Sequence, residues 1–227
     1  MNEDKYTPKT FDELVFTDEL TKQKLQGYVD GDKRRWLLLY GAPGGAKSLT
    51  AAIIAKAMCE RDNTSMFYAK DTVVINAADW ETETSERIVK LFMAGSPTVV
   101  VNELDHLHSS HQAKLRSVWD KYNRYGNIIF TMNSHPNDVG VLDALVDRCE
   151  VIHLERPSLE DMFPKIRSMF ESEGLSYSDE NIKALMRLKQ KVAYDKDGSL
   201  SETRRLSWRD ALTIVEDEKS YCRLNKL

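Results

Sequence analysis

The sequence predicts an α/β fold: a five-stranded parallel sheet with helices on both faces, followed by a small domain of three helices. Two observations lead to this prediction. Up to about residue 155, short apolar runs of strand type alternate with segments of helical periodicity, which is typical of parallel sheets. Beyond residue 155 the strand-like runs stop, and apolar residues recur only with helical spacing. We therefore expect one domain over 1–155 and a second over 156–227.

Each element is predicted from a local pattern. Strands are expected at 37–40, 72–75, 97–101, 127–132 and 150–154, and the helices between them at 49–60, 84–94, 110–125 and 139–148. Amphipathic stripes around 159–170, 182–188 and 208–215 predict the three later helices, with Pro157 opening the first and Ser158 capping it. The charged stretch 189–205 is expected to be an exposed loop or a mobile insertion.

A glycine-rich loop lies between the first predicted strand and the helix after it. It consists of Gly41, Ala42, Pro43, Gly44, Gly45, Ala46, Lys47 and Ser48, and Leu49 continues into the helix. Backbone N–H groups of such a loop wrap phosphates, the lysine reaches their outer oxygens, and the Ser48 hydroxyl can ligate Mg²⁺. This predicts a P-loop NTPase fold that binds a nucleoside triphosphate. Ala46 replaces the usual second glycine, so its methyl group is expected to crowd the phosphate. The competing interpretation is an ordinary glycine-rich turn.

Polar residues follow two further predicted strands, where open α/β sheets bind their ligands. Asn102 stands where an aspartate usually helps to hold Mg²⁺, here through water, and Glu103 is the candidate for orienting the attacking water. Asn133 is placed to contact the γ-phosphate and that water. Because a neutral amide replaces a carboxylate at Asn102, hydrolysis is expected to be slow or absent. Alternatively, Glu103 and Asp105 cap the following helix and Asn133 is a turn residue.

Several further strings resemble the AAA+ ATPases of the clamp-loader group, which includes replication factor C and the phage clamp loaders. These strings are KYTPKTFDEL at 5–14, NAAD at 76–79, DRC at 147–149, RPSLE at 156–160 and WRDAL at 208–212. The resemblance runs from Tyr6 to about Glu216 and does not include the helical collar that joins subunits in that group. We therefore expect assembly through other contacts, or through a collar that a partner supplies.

The resemblance implies roles for residues outside the loop. Tyr6 and Pro8 would help to enclose the adenine, and the three later helices would form a lid. Arg148 would be an arginine finger that enters the ATP site of an adjacent subunit, and Arg209 would lie over the γ-phosphate. A guanidinium suits both roles because its planar fork of donors matches phosphate oxygens.

The expected function is that of an ATPase subunit that uses ATP and Mg²⁺ to assemble a replication factor on DNA. Its expected partners are other AAA+ subunits in a homo- or hetero-oligomeric ring or spiral, DNA, and a sliding clamp. One alternative is a related helicase loader or transposition regulator, whose partner would be a helicase or other DNA-bound protein. The other is a nucleotide-binding subunit with weak or no hydrolysis, which Ala46 and Asn102 favour.

Composition and charge limit how this chain can contact nucleic acid and indicate the cellular compartment in which it is expected. With 32 basic and 36 acidic residues, the net charge of −4 excludes indiscriminate coating of nucleic acid. The candidates for local phosphate contacts are Lys114, Arg116, Lys121 and Arg124, expected near one face of a helix; the alternative is a solvated face balanced by Asp120. Three scattered cysteines suit reduced thiols in a cytoplasm, that of a host if the protein comes from a phage, as its compact size suggests. No apolar run is long enough to predict a membrane span. His106, His108 and His111 are not expected to bind zinc, because their spacing lacks the carboxylates and cysteines of a zinc site.

Overall fold

The structure is a computed structural model that describes residues 5–62, 72–95, 98–189 and 205–224. The strands are β1 (Trp36–Tyr40), β2 (Val73–Asn76), β3 (Thr98–Asn102), β4 (Asn127–Met132) and β5 (Cys149–His153). The helices are α1 (Glu19–Asp30), α2 (Lys47–Asp62), α3 (Thr84–Met93), α4 (Ser109–Tyr122), α5 (Asp143–Val146), α6 (Leu159–Ser172), α7 (Asp179–Leu188) and α8 (Trp208–Leu224). None of these described helices is long and apolar enough to cross a bilayer.

The five strands form one parallel sheet in the order β2-β3-β4-β1-β5. This confirms the predicted α/β fold with a five-stranded parallel sheet. Strand β4 lies between β3 and β1, and Tyr40 at the end of β1 is paired with Met132 at the end of β4. Because all strands run in one direction, the segments that follow β1, β3 and β4 leave the sheet at the same edge.

Both faces of the sheet are covered. Leu37, Leu38 and Leu39 point alternately to opposite faces, yet all three are fully buried. On one face, the buried Trp36 ring makes edge-to-face contacts with Trp119 of α4 and Phe130 of β4, at centroid distances of 5.0 and 5.7 Å. Because both faces of β1 are buried, its sequence is a continuous apolar run, and this run is the pattern that predicted the strand.

Two predicted helix positions are wrong in detail. Within 139–148 only α5, Asp143–Val146, is α-helical, because Gly140 adopts the left-handed region at φ 71° and Leu142 is extended. Pro157 does not open α6, since the helix begins at Leu159 and Ser158 is its N-cap, in a reciprocal capping box with Asp161. The predicted loop 189–205 falls almost wholly outside the described residues, as does Pro97 of the third predicted strand.

The chain divides into two compact units that are discontinuous in sequence. One unit comprises the described residues within Asp18–Pro43 and Lys47–Leu154 and contains the sheet. The other comprises those within Met1–Thr17, Gly44–Ala46 and Glu155–Leu227. Its apolar core comes from α6, α7 and α8, with Met162, Ile166 and Ile214 at 2% exposure or less. Three helices packed around one apolar core agree with the three amphipathic stripes in the sequence.

The Glu173 carboxylate ties the N-terminal segment to the helical unit. Lys5 Nζ donates to Glu173 Oε1 at 2.7 Å, the Tyr6 hydroxyl donates to the same oxygen, and Lys219 of α8 pairs with Oε2. The Tyr6 hydroxyl also lies 2.9 Å from Ser172 Oγ. Hydrogen bonds from Lys219, Lys5 and Tyr6 lower the pKa of Glu173 to about 2, because they stabilise its charged form.

This cluster predicts a pH-dependent attachment of the N-terminal segment. A carboxyl whose folded pKa lies below its unfolded pKa stabilises the fold above the unfolded value, and that stabilisation is lost as the pH falls toward 2. We expect a carbon NMR titration of Glu173 to show a midpoint near 2, below the ordinary glutamate pKa of about 4.3. In Glu173→Gln, unfolding midpoints at pH 7 should fall while those near pH 2 stay unchanged. A Glu173 midpoint in the ordinary range would contradict the assignment.

Candidate nucleotide-binding site

The loop after β1 is shaped around the Lys47 side chain. Lys47 is the first residue of α2 and only 7% exposed, and its Nζ donates to the carbonyl oxygens of Gly41 and Ala42 at 2.8 and 3.0 Å. The ammonium group therefore lies within the loop's own curve. Gly41 permits this path, because a Cβ at its φ of 147° would come within 2.2 Å of the Leu154 carbonyl oxygen. Ser48, the second residue of α2, is exposed.

Ala46 departs from the usual loop pattern in its backbone as well as its methyl group. Its φ is 58°, in the left-handed region that glycine adopts freely and that costs other residues about 1–2 kcal/mol. The sequence analysis expected Ala46 to crowd a phosphate. The structure adds a second effect, which is strain in the free protein.

Glu103 is strained in the same way. It follows β3 with φ 59° and ψ 49° and begins the 3-10 turn Leu104–His106, but its side chain makes no capping hydrogen bond. The carboxylate is half exposed, with Oε2 at 3.6 Å from His106 Nδ1. The alternative that Glu103 caps the next helix is therefore wrong: His108 is the N-cap of α4. Non-glycine residues in this region are uncommon and concentrate at functional sites.

Asp105 joins the end of β3 to the end of β4. Its Oδ2 accepts the backbone N–H of Asn133 at 3.4 Å, and its Oδ1 is buried without a hydrogen-bond partner among the described residues. Asp105 thus binds the neighbouring strand rather than capping α4. Asn133 is half buried directly after β4.

Thr131 is a residue of the site that the sequence analysis missed. Its hydroxyl donates to Asn102 Oδ1 at 2.9 Å and accepts the N–H of Glu103 at 3.4 Å, so it fixes the residues on either side of the β3 terminus. Thr131 is 2% exposed. The signal was present as the one hydroxyl in the run NIIFTM, since a buried polar group in an apolar strand needs a nearby partner.

These contacts bring four predicted residues to one edge of the sheet. Lys47 lies in the first turn of the helix after β1 and Asn133 follows β4. Asn102 ends β3 and Glu103 follows it, and β4 lies between β1 and β3. The available oxygens there suit Mg²⁺, which prefers hydroxyl, amide and carboxylate ligands or their bound waters. The orphaned Asp105 oxygen is a further acceptor at this edge, so the residues present fit a magnesium ion.

The other predicted residues are described within their own units. Arg148 lies between α5 and β5, where it forms an ion pair with Asp120 of α4 at 2.7 Å. In the helical unit, Arg209 is exposed in the first turn of α8, Pro8 is buried, and Tyr6 packs on the apolar core.

The predicted basic face of α4 is only partly present. Lys114 and Lys121 line one groove of about 490 Å³ between α3 and α4 together with Lys90. Arg124 lies beyond the end of α4, so the helical spacing does not extend to it, and it lines a separate cavity with Arg34 and Arg61. Arg116 is exposed on the helix. Asp120 does not balance the lysines, because it is engaged by Arg148.

Comparison with known proteins adds relatives of two kinds. Replication factor C small subunit 2 of Pyrobaculum arsenaticum is 27% identical over 190 residues, covering 82% of this chain and 58% of that protein. The replication factor C small subunit of Archaeoglobus fulgidus is 27% identical over 186 residues, covering 81% and 57%. This chain thus spans somewhat more than half the length of these relatives.

Among solved structures, the Thermotoga maritima RuvB Holliday junction branch migration motor is similar to this chain with a TM-score of 0.70 at 15% identity. The match covers 97% of this chain and 67% of that one, and it shows a shared fold.

A family model described as "ATPase family associated with various cellular activities (AAA)" matches residues 37–156, from β1 through the end of the sheet unit. The matched segment contains the glycine-rich loop, Glu103, Asn133 and Arg148. Because this match covers more than half of the sequence, the chain belongs to the AAA ATPase family.

Proposed function

We propose that this chain is a clamp-loader-like AAA+ subunit that binds ATP and hydrolyses it at an interface between subunits. The observation that carries the proposal is the common edge of β1, β4 and β3, where Lys47, Asn133 and Glu103 follow three adjacent strands. A buried lysine in a glycine-rich loop and an exposed carboxylate at the same edge of the sheet are suited to phosphoryl transfer to water.

Each residue has a defined task in this proposal. The loop 41–48 and the Lys47 ammonium hold the phosphates. Glu103 accepts a hydrogen bond from the attacking water, and the Asn133 amide contacts the γ-phosphate and the same water. The water oxygen bonds to the γ-phosphorus while the bond to the β,γ-bridging oxygen breaks and its electron pair leaves with ADP. The proton that the water loses is released together with ADP and phosphate. Mg²⁺, held by Ser48 and through water by Asn102, would neutralise charge on the phosphate oxygens.

Two arginines complete the proposal. Arg148 of one subunit would stabilise the transition-state charge at the nucleotide of its neighbour, which makes hydrolysis depend on assembly. Arg209 would contact the γ-phosphate from the helical lid, and Tyr6 and Pro8 would help to enclose the adenine. Pro8 is buried and Tyr6 is attached to α6, so the segment that contains them is ordered, as this role requires.

The likeness to replication factor C small subunits over about four fifths of the chain supports a role in loading a sliding clamp on DNA. The DNA phosphates would be contacted by Lys114, Arg116, Lys121 and Arg124, of which Lys114 and Lys121 line one groove.

A helicase loader or transposition regulator remains the second candidate, because its chemistry at the nucleotide is the same. A nucleotide-binding subunit with weak or no hydrolysis is the third candidate, and two observations favour it, the neutral Asn102 and the strained Ala46.

Three predictions test this proposal, and the first concerns hydrolysis between subunits. We expect steady-state ATP turnover by the chain with primed DNA to fall about a thousandfold in Arg148→Ala, the scale typical of arginine fingers. Glu103→Gln should also be inactive. Mixing the two should restore turnover, because Glu103→Gln subunits supply Arg148 to the intact sites of the Arg148→Ala subunits. Arg87→Ala, which removes an exposed arginine of α3, is the control and should retain full turnover. Unchanged turnover in Arg148→Ala would refute the proposal.

The second prediction concerns Ala46. Replacing a left-handed alanine by glycine removes backbone strain, so Ala46→Gly should leave the free energy of unfolding unchanged or raise it by up to about 1 kcal/mol. Nucleotide affinity should rise, because the methyl group next to the phosphates is gone. The control Ala57→Gly lies inside α2 and should cost about 1 kcal/mol. Urea unfolding and nucleotide titration measure both effects, and equal destabilisation by the two substitutions would contradict the analysis.

The third prediction separates the two candidate partners. With a non-hydrolysable ATP analogue, the chain should retain a sliding clamp from the same source on an affinity resin and should not retain the replicative helicase. Lys47→Ala should lose this retention, because the ATP-bound state is the one that binds. Retention of the helicase instead would establish the second candidate.

A further inference from the structure

The guanidinium of Arg148 is held by a carboxylate of its own chain. Nε and Nη2 both donate to Asp120 Oδ1, at 3.0 and 2.7 Å, and Nη1 donates to the carbonyl oxygen of Ala144. Three nitrogens are therefore engaged, two of them by one carboxylate oxygen. Arg148 is 24% exposed and Asp120 is 48% exposed, so the pair lies at the surface of the sheet unit.

The contacts leave part of the guanidinium available. A guanidinium carries five N–H groups, one on Nε and two on each terminal nitrogen. These hydrogen bonds use one N–H of each nitrogen, so among the described residues one N–H on Nη1 and one on Nη2 remain. Two N–H groups from the two terminal nitrogens are what a phosphate accepts in a bidentate contact. Asp120 can thus hold Arg148 without occupying that pair of donors.

The pair is not needed to hold α4 in place. Gln112 of α4 accepts the Leu142 N–H at 2.8 Å and donates to the Leu107 carbonyl at 2.8 Å, which joins α4 to the segment before α5. Trp119 adds an edge-to-face contact with the buried Trp36. An exposed ion pair contributes little to folding by comparison. The effect of Asp120 is therefore expected on the orientation of Arg148 rather than on the stability of the unit.

We propose that Asp120 is a positioning residue for Arg148: it orients the guanidinium so that one N–H of each terminal nitrogen is available to the nucleotide of a neighbouring subunit. This inference rests on the proposed function, in which Arg148 acts between subunits. An arginine side chain has several rotatable bonds, and ordering it costs conformational entropy. Asp120 orders it before assembly, so less entropy is lost when the interface closes, as preorganised catalytic groups require.

The test compares ATP turnover in Asp120→Ala and Asp120→Glu. We expect the kcat of Asp120→Ala to fall about 10- to 100-fold, the cost of a small displacement of a catalytic group. The KM for ATP should stay unchanged, because the loop 41–48 of each subunit is intact. Asp120→Glu keeps the charge and should recover part of kcat. Mixing Asp120→Ala with Glu103→Gln subunits should restore turnover, since the latter supply a correctly held Arg148.

Asp62→Ala is the matched control. Asp62 is 37% exposed and pairs with Arg61 Nε at 2.7 Å, and Arg61 also donates to backbone carbonyl groups, as Arg148 does. This substitution should leave kcat within about twofold, in line with the small energies of exposed pairs. In the Arg148→Ala background, Asp120→Ala should have no further effect, because both act through one group.

The outcomes separate the inference from the proposed function. If Arg148→Ala loses turnover and Asp120→Ala keeps it, the positioning role is refuted and the proposed function stands. Loss of turnover in Asp120→Ala that mixing does not restore also refutes the positioning role. If Arg148→Ala itself keeps full turnover, the proposed function fails and the inference fails with it.

Discussion

Parallel pairing of β3, β4 and β1 is the constraint on which the candidate site depends. Hydrogen bonds between adjacent strands fix the register, and burial of both faces prevents a strand from slipping relative to its neighbours. The three carboxyl ends are therefore held side by side before any ligand arrives. Lys47, Asn133 and Glu103, which follow these strands, are therefore held at the same edge of the sheet. A site built in this way owes its geometry to the apolar core beneath it.

Local sequence patterns were sufficient for much of this architecture. The run at 127–132 predicted β4 at its observed bounds, and the glycine-rich loop indicated the position of α2. Strand order was not predictable in the same way, because pairing partners are distant in sequence. The failure at 139–148 has a local cause, since the apolar spacing suggested a helix that the left-handed Gly140 interrupts.

Contacts made by single side chains were beyond the reach of pattern analysis. Thr131 binds the amide of Asn102, and Asp105 accepts the N–H of Asn133, although each partner lies 28 or 29 positions away in sequence. Asp120 was assigned to the wrong neighbours for the same reason. Charge alone suggested the lysines of its own helix, whereas the fold brings Arg148 to it from the segment between α5 and β5. Left-handed backbone at Ala46 and Glu103 was likewise invisible without coordinates.

The Glu173 carboxylate binds side chains from both ends of the described chain, Lys5 and Lys219, within a single helical unit. The sheet unit is thus inserted between two parts of another unit. During synthesis on the ribosome, the sheet unit has all of its residues once Leu154 has emerged, whereas the N-terminal segment must wait for Ser172 and Glu173 at the end of α6 before its anchor exists. Because translation proceeds from the N-terminus, the sheet unit can fold while the N-terminal segment is still unattached.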